Sequence, residues 1–220
     1  MIKRKFTALL VSLVLLLMLY PAFQWLPHGI VLHNLAFTLV VLATLYAMEH
    51  SRLALVGALV LVVIALAGTW TGRLTQADWP VWIGMGAAAV LFIYTAWVLL
   101  REVLRSDRVT VDTLAGGVVV YLLIGVIWAF AYVLVALVDP AALHYAAGSG
   151  LSGVGGFDDF HTYLYFSFTT LTTLGYGDVV PVNPATRSLA YLEAVFGQLY
   201  LALLIARLVG QHLSAGNGRG

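Results

Sequence analysis

The chain of 220 residues contains no cysteine and only a small share of charged side chains. The lack of cysteine excludes disulfide bonds and thiolate metal sites. Charged residues make up 10% of the chain and form no basic cluster with interleaved aromatic residues, which excludes nucleic acid as a partner. A soluble domain of this length carries far more charge. A water-soluble fold is therefore excluded as well.

The sequence is instead rich in apolar residues, at 62%, with a mean hydropathy of +0.97. Apolar runs of about 17 to 25 residues are long enough to cross a bilayer as helices. Six such runs occur, at residues 6–26, 30–48, 53–70, 80–100, 113–138 and 185–209. The first run is too long for a signal peptide and lacks a small-residue cleavage pattern, so we expect it to be retained. The sequence therefore predicts an all-α membrane protein with six transmembrane helices in contact with lipid.

Basic residues are distributed unevenly among the predicted loops. If the amino terminus is cytoplasmic and the six spans alternate, nine of the eleven lysines and arginines lie on or near the cytoplasmic side. The other two, Arg73 and Arg187, lie outside. This excess follows the positive-inside rule. We therefore expect both termini to be cytoplasmic, and the compact length favours a plasma membrane, the inner membrane of a prokaryote.

The segment between the last two apolar runs contains a helix that is too short to cross. Residues 139–159 form a loop rich in glycine and alanine, and residues 160–171 then predict a short aromatic helix. We expect it to enter the membrane and return, with Asp158 or Asp159 capping its amino end. Its carboxyl end carries the negative end of the helix dipole, which attracts cations. Asn183 and Pro184 predict the N-cap and first turn of the last helix.

Residues 172–178, which read Thr-Thr-Leu-Gly-Tyr-Gly-Asp, follow the short helix directly. Irregular backbone at membrane depth must be buried in protein or line a watery path. Gly175 and Gly177 adopt positive φ at little cost, which lets successive carbonyl oxygens point the same way and replace the water around a cation. Leu174 and Tyr176 then face away. We expect them to pack on the aromatic side chains of the short helix, Tyr163, Tyr165, Phe166 and Phe168.

This stretch resembles the signature of potassium channels, in the order outer helix, pore helix, selectivity filter and inner helix, over roughly residues 113–210. The resemblance implies K⁺ binding by the filter residues Thr173, Leu174, Gly175 and Tyr176. It also implies that Gly177 closes the filter strand and Asp178 lies at its outer mouth, with Thr172 and Tyr165 as supporting residues.

Two positions depart from the commonest pattern of that family. Leu174 stands where valine is usual, and its side chain points away from the ion. We therefore expect the leucine to change the packing of the filter, and we expect K⁺ selectivity to be kept. Thr169 stands where some members carry a glutamate that pairs with the aspartate at the mouth. Asp178 must therefore have another partner.

One chain supplies one filter strand, and no second filter-like sequence occurs, so a closed ring needs several copies. The resemblance implies a homotetramer that conducts K⁺ passively, with no cofactor and no enzymatic activity. A non-selective cation channel of the same architecture is the alternative, although such channels typically alter the filter tyrosine and Tyr176 is intact. A membrane serine protease that uses Ser149 and His161 is a distant alternative, because Ser149 lies in a glycine-rich outer loop.

The predicted domains are a four-helix transmembrane domain at residues 1–108, a pore domain at residues 109–210 and a short cytoplasmic tail at residues 211–220. The first has the position of a voltage sensor, but residues 80–100 contain no basic residue. Arg101, Arg105 and Arg108 occur only at the cytoplasmic end of that run. A voltage sensor needs charge inside the membrane field. We therefore expect weak voltage dependence or none.

Two residues of the last helix are further candidates. Glu193 is a lone acid in a membrane span, and such residues usually face protein or water. We expect it to contact the hydroxyl of Ser167, Thr170 or Thr172 behind the filter, or else to be hydrated near the outer interface. Gly197 costs about 1 kcal/mol relative to alanine in a helix interior. It is either a gating hinge or a point of close packing against the pore helix.

Overall fold

The computed structural model describes residues 5–24, 35, 38–44, 52–75, 77–106, 110–147 and 160–217. Most of these residues are helical. The helices are α1 (Lys5–Gln24), α2 (Arg52–Thr75), α3 (Asp78–Arg105), α4 (Val111–Val138), α5 (Phe160–Leu171) and α6 (Pro184–Asn217), and the strands are β1 (Leu143–Tyr145) and β2 (Val179–Pro181). Residues 38–44 are helical as well.

Four of the described helices are long and apolar enough to cross a membrane. Their candidate spans are Leu55–Gly72, Trp79–Arg105, Val111–Val138 and Pro184–Gln211. A shorter apolar stretch, Lys5–Met18, lies in α1. The chain is therefore a mainly helical, multi-pass membrane protein, as its composition predicts. Most of the run at residues 30–48 lies outside the described residues, so a total of six spans stays a prediction.

The chain forms two compact units, Met1–Leu122 and Leu123–Gly220. In the first unit, α2 and α3 pack closely through a glycine. A Cβ atom added at Gly68 would lie 2.4 Å from the carbonyl oxygen of Pro80 and 2.7 Å from the Cα atom of Gly84. Small residues at such crossings let the backbones of membrane helices approach each other. The glycine at position 68 is therefore required by the α2–α3 contact.

The first turn of α1 is tied to two other helices of the first unit. The Asp112 Oδ1 atom accepts hydrogen bonds from the Thr7 backbone N–H at 3.0 Å and from the Thr7 hydroxyl at 2.9 Å. Asp112 thereby satisfies a donor that has no partner within α1. Lys5 Nζ lies 2.7 Å from Glu102 Oε1. These contacts fix the start of α1 against the end of α3 and the start of α4.

In the second unit, α5 packs closely on both α4 and α6. A Cβ atom added at Gly125 of α4 would lie 2.8 Å from the Phe168 ring, and one added at Gly197 of α6 would lie 2.3 Å from the Leu171 carbonyl oxygen. The ring of Phe166 also meets the edge of Tyr132 on α4, with centroids 4.7 Å apart. The short helix has the bounds that the sequence predicts and is held between two long helices.

A short antiparallel ribbon, β1–β2, follows α4 and precedes α6. Leu143 pairs with Pro181 and Tyr145 pairs with Val179. The pairing continues with a hydrogen bond of 2.8 Å from the Ala146 N–H to the Asp178 carbonyl oxygen. The sequence predicts a loop at residues 139–159, and this prediction is wrong at Leu143–Tyr145, which form strand β1. A three-residue strand in a segment rich in glycine and alanine has no alternating pattern that would reveal it.

The start of α6 confirms the predicted N-cap. The Asn183 Oδ1 atom accepts a hydrogen bond of 2.8 Å from the Thr186 N–H, and Pro184 is the first residue of the helix. The Asn183 amide in turn donates to Asp139 Oδ2 at 2.8 Å. The helix then continues through Gly197 to Asn217, past the predicted end of the apolar run at residue 209.

Candidate functional site

The loop after α5 has left-handed backbone at every second residue. The φ angles are +59° at Thr173, +53° at Gly175 and +80° at Gly177. The positive φ predicted for both glycines is confirmed. A positive φ at Thr173 was not predicted, because a β-branched residue rarely adopts the left-handed conformation. The three residues together show a strict two-residue alternation that no regular strand has.

This alternation determines where the carbonyl oxygens of the loop can point. In an ordinary strand, successive residues face opposite sides. Left-handed residues at positions 173, 175 and 177 reverse that alternation, so successive carbonyl groups can share one side of the chain. The loop therefore has the backbone geometry that a column of oxygen ligands requires.

Backbone hydrogen bonds fix the loop to the carboxyl end of α5. The Thr173 N–H donates to the Thr170 carbonyl oxygen at 2.9 Å, and the Gly175 N–H donates to that of Thr169 at 3.0 Å. The Thr172 hydroxyl donates to the Phe168 carbonyl oxygen at 2.6 Å. These acceptors belong to the last turn of the helix, whose carbonyl groups lack partners within the helix. The predicted supporting residue Thr172 thus acts by capping α5.

A side chain of α6 contacts the beginning of the same loop. The Gln198 Nε2 atom donates to the Thr173 hydroxyl oxygen at 3.4 Å, and that hydroxyl donates to the Thr172 carbonyl oxygen at 2.6 Å. Thr173 is therefore held from two sides, by its neighbour in the chain and by the inner helix. This contact helps to hold Thr173 in the left-handed backbone conformation, which is unfavourable for a threonine in isolation.

Asp178 has the alternative partner that its sequence context requires. Its Oδ2 atom accepts a hydrogen bond of 2.6 Å from the Tyr165 hydroxyl, and its Oδ1 atom accepts one of 3.1 Å from the Val179 N–H. Partial burial, followed by the hydrogen bond to Asp178, raises the pKa of Tyr165 to about 12. Tyr165 therefore stays protonated at neutral pH and continues to donate. The structure brings these two predicted supporting residues together.

The side chains of the loop are largely exposed in the single chain. Leu174 is 54% exposed and Tyr176 is 68% exposed. The aromatic residues of the short helix in the same chain leave most of these two side chains uncovered, so their predicted packing on that helix stays a prediction. Tyr163 and Phe166 are instead buried within the second unit.

Glu193 is fully buried, with no exposed side-chain surface. Its Oε1 atom lies 2.5 Å from the Ser167 hydroxyl, one of the three predicted contacts, and its Oε2 atom accepts a hydrogen bond of 2.6 Å from the Tyr132 hydroxyl. The alternative of a hydrated acid at the interface is wrong. Sequence reasoning missed Tyr132, which lies 61 positions away and has no motif that links it to Glu193.

Gly197 packs against the last residue of α5, where any side chain would collide with a backbone oxygen. This favours the close-packing alternative, and a role as gating hinge stays a prediction. Ser149, Asp158 and Asp159 lie outside the described residues. Within the described residues, no group of three or more His, Cys, Asp or Glu side chains could hold a metal ion. The loop at residues 172–178 offers a cation its backbone carbonyl oxygens, the hydroxyl oxygens of its threonines and the Asp178 carboxylate at its end.

Comparison with protein families places this loop in a known domain. A family model described as "Ion channel" matches residues 109–211, a segment that contains α4, both strands, α5, the loop and most of α6. Searches of curated proteins and of solved structures return no match. Residues 109–211 therefore match the ion channel family, and this match confirms the resemblance of that segment to potassium channels.

Proposed function

We propose that this channel is selective for K⁺ and that Thr173, Leu174, Gly175 and Tyr176 bind the ion through their carbonyl oxygens. The observation that carries the proposal is the alternation of positive φ at residues 173, 175 and 177 on an exposed segment. Gly177 ends this filter strand, and the Thr173 hydroxyl adds a further oxygen. Conduction is passive and requires no cofactor.

Backbone carbonyl groups suit this ion for a physical reason. They replace the hydration shell of K⁺ with neutral dipoles, which bind firmly enough for entry and loosely enough for release. A site of carboxylates would hold a cation more tightly and slow its release. Asp178, the acid at the end of the loop, accepts hydrogen bonds from Tyr165 and from the Val179 N–H. Selectivity is therefore assigned to the backbone of the loop.

The channel is proposed to be a homotetramer. Each chain contributes one filter strand, so a ring of carbonyl groups requires several chains around one axis. The exposed Leu174 and Tyr176 side chains support this assembly, because neighbouring subunits can cover them. The proposal places both termini in the cytoplasm of a prokaryotic cell, with the inner membrane as the location. A domain at residues 1–108 with no arginine ladder accompanies the pore without strong voltage control.

Ion flux into liposomes tests this function. The unaltered protein is reconstituted, and uptake is measured under a K⁺ gradient and, separately, a Na⁺ gradient. Gly175→Ala is the test variant because alanine in left-handed backbone costs about 1–2 kcal/mol in each subunit. Gly210→Ala is its matched control, since nothing lies within 4 Å of a Cβ atom there. We expect K⁺ uptake by the unaltered protein and the control, and its loss in Gly175→Ala.

Each other outcome contradicts a different part of the proposal. Equal Na⁺ and K⁺ uptake would establish a non-selective cation channel of the same architecture. Preserved K⁺ selectivity in Gly175→Ala would show that the filter lies elsewhere. Membrane insertion is measured in parallel, and we expect it to be unchanged, because it depends on the apolar helices and not on the loop.

A further inference from the structure

A closed cluster of buried polar side chains lies within the second unit. Glu193 of α6, Ser167 of α5 and Tyr132 of α4 are all fully buried. Besides its contact with Glu193, the Ser167 hydroxyl lies 2.7 Å from the Gly125 carbonyl oxygen of α4. The cluster therefore joins all three helices of the unit through three short oxygen–oxygen contacts.

The hydrogen atoms of the cluster can be counted. If Glu193 is ionised, two hydroxyl hydrogens, from Ser167 and Tyr132, must serve three contacts. Tyr132 uses its hydrogen for Glu193, so Ser167 must choose between Glu193 and Gly125. Either choice leaves two acceptor oxygens facing each other at hydrogen-bond distance, with no hydrogen between them.

A protonated Glu193 supplies the missing hydrogen. Its Oε1–H then donates to the Ser167 hydroxyl, which donates to the Gly125 carbonyl oxygen, while the Tyr132 hydroxyl donates to Oε2. Each of the three contacts has one hydrogen, and each hydroxyl donates once. A neutral carboxylic acid is therefore the state that satisfies the whole cluster.

The surroundings of Glu193 agree with this count. Tyr132 is the titratable group that faces it from α4, and Ser167 is the polar group that faces it from α5. Among the described residues, no lysine, arginine or histidine forms an ion pair with Glu193. A buried carboxylate without a cation is strongly disfavoured, whereas the neutral acid is not.

We infer that Glu193 is a neutral carboxylic acid that acts as a hydrogen-bond donor, and that it positions α5 between α4 and α6. The three-helix contact holds α5, whose last turn carries the loop of residues 172–178. The hydrogen bonds of Glu193 go to Tyr132 and Ser167, which lie outside that loop, so it is a positioning residue. Its effect on conduction rests on the proposed function, whereas its protonation state does not.

Substitutions separate the donor role from packing alone. Gln at position 193 keeps both interactions, because its amide N–H can donate to Ser167 and its oxygen can accept from Tyr132. Leu has a similar volume and can do neither, which leaves two buried hydroxyl groups with poorer partners. Glu193→Gln is therefore the conservative variant, and Glu193→Leu is the disruptive one.

Infrared spectroscopy of the full-length protein in liposomes tests the protonation state directly. A protonated carboxyl group has a carbonyl stretch that carboxylates lack, and this band shifts in D₂O. We expect the band at neutral pH in the unaltered protein and its loss in Glu193→Gln. If the unaltered protein has no such band, or if Glu193→Gln retains every such band, Glu193 is ionised and the inference is overturned. This reading needs no ion flux, so it stands apart from the test of K⁺ conduction.

Flux and thermal unfolding then test the positioning role in the same three proteins. We expect K⁺ uptake in Glu193→Gln to match the unaltered protein, and uptake in Glu193→Leu to fall by about tenfold or more, the factor that corresponds to 1.4 kcal/mol. Equal uptake in all three would contradict the positioning role, and so would an equal loss in both variants. If Glu193→Leu does not assemble, Ser167→Ala replaces it, with the same loss expected relative to Glu193→Gln.

Discussion

The hydrogen bond between Tyr165 and Asp178 offers the sharpest test of how α5 supports the loop. The change Tyr165→Phe removes one oxygen atom and keeps the aromatic ring. It leaves Asp178 with the Val179 N–H as its remaining partner, at 3.1 Å. We expect the end of the filter strand to lose its anchor to α5, so that the conducting conformation becomes less stable while the fold is unchanged.

The size of the effect follows from the geometry of this contact. A hydrogen bond to a charged acceptor contributes about 1.5–3 kcal/mol when it is shielded from water. Asp178 and Tyr165 are only half-buried, and water can replace part of the interaction, so about 1 kcal/mol per subunit is expected. This shifts the balance between conducting and non-conducting filters by about fivefold for each subunit. If four subunits form one ring, the four factors multiply.

Single-channel recording in planar bilayers measures this balance as the open probability in symmetrical K⁺ solutions. Tyr191→Phe is the control, because Tyr191 is 60% exposed on α6 and its hydroxyl has no hydrogen-bond partner among the described residues. Asp178→Asn and the double variant complete a cycle that isolates the pair. The reasoning is refuted if Tyr165→Phe conducts like the unaltered protein, or if the cycle shows no coupling between the two positions.

The same pair has a defined pH dependence. The pKa of Tyr165 is raised from 10.0 to about 12, so the folded protein favours the neutral phenol. The stabilisation is therefore complete below pH 10 and is lost as the pH rises towards about 12. We expect open probability to fall in this alkaline window in the unaltered protein. The Tyr165→Phe protein should lack this component, and a fall of the same size in both proteins would contradict the assignment.

Three further predictions concern α3 and α6. Gly197→Ala should lower the thermal unfolding temperature, because its Cβ atom would lie 2.3 Å from the Leu171 carbonyl oxygen, whereas the matched Gly210→Ala should not lower it. If both variants unfold alike, close packing at Gly197 is not the reason for the glycine. Asn183→Ala removes the N-cap of α6 and should lower stability by about 1 kcal/mol, measured as a shift in thermal unfolding that is smaller in Asn183→Ser, whose hydroxyl can still accept from the Thr186 N–H. Voltage steps should reveal a small gating valence, since residues 80–100 contain no basic residue, and a valence of several charges per channel would overturn this prediction.

Features that depend on neighbouring residues could be predicted from the sequence. The bounds of α5, the Asn183 cap and the positive φ of two glycines all follow from short-range rules. The long helices follow from the length of the apolar runs, and their ends differ from those runs by up to eight residues, at α6, because polar residues can extend a helix beyond the hydrocarbon. Local propensity therefore predicts the order and approximate bounds of the helices in the ion channel segment.

Partners that lie far apart in the chain could not be predicted in this way. The sequence shows that Asp178 and Glu193 need partners, but not that these are Tyr165 and Tyr132. Tyrosine is common in this chain, with eleven copies, so its presence identifies no particular contact. The β1–β2 ribbon has the same difficulty, since each strand has three residues and is stable only through the other. Tertiary packing determines all of these contacts.

Thr173 shows where local rules fail for a reason connected with function. Glycine at this position would adopt a φ of +59° without strain, yet the chain has a threonine there. Its hydroxyl lies between Gln198 Nε2 and the Thr172 carbonyl oxygen, contacts that glycine cannot make. Strain that persists in this way requires surroundings that enforce it, and such residues are concentrated at functional sites. The strained threonine therefore has the same backbone role as Gly175 and Gly177, and its hydroxyl adds an oxygen atom at the start of the proposed ion path.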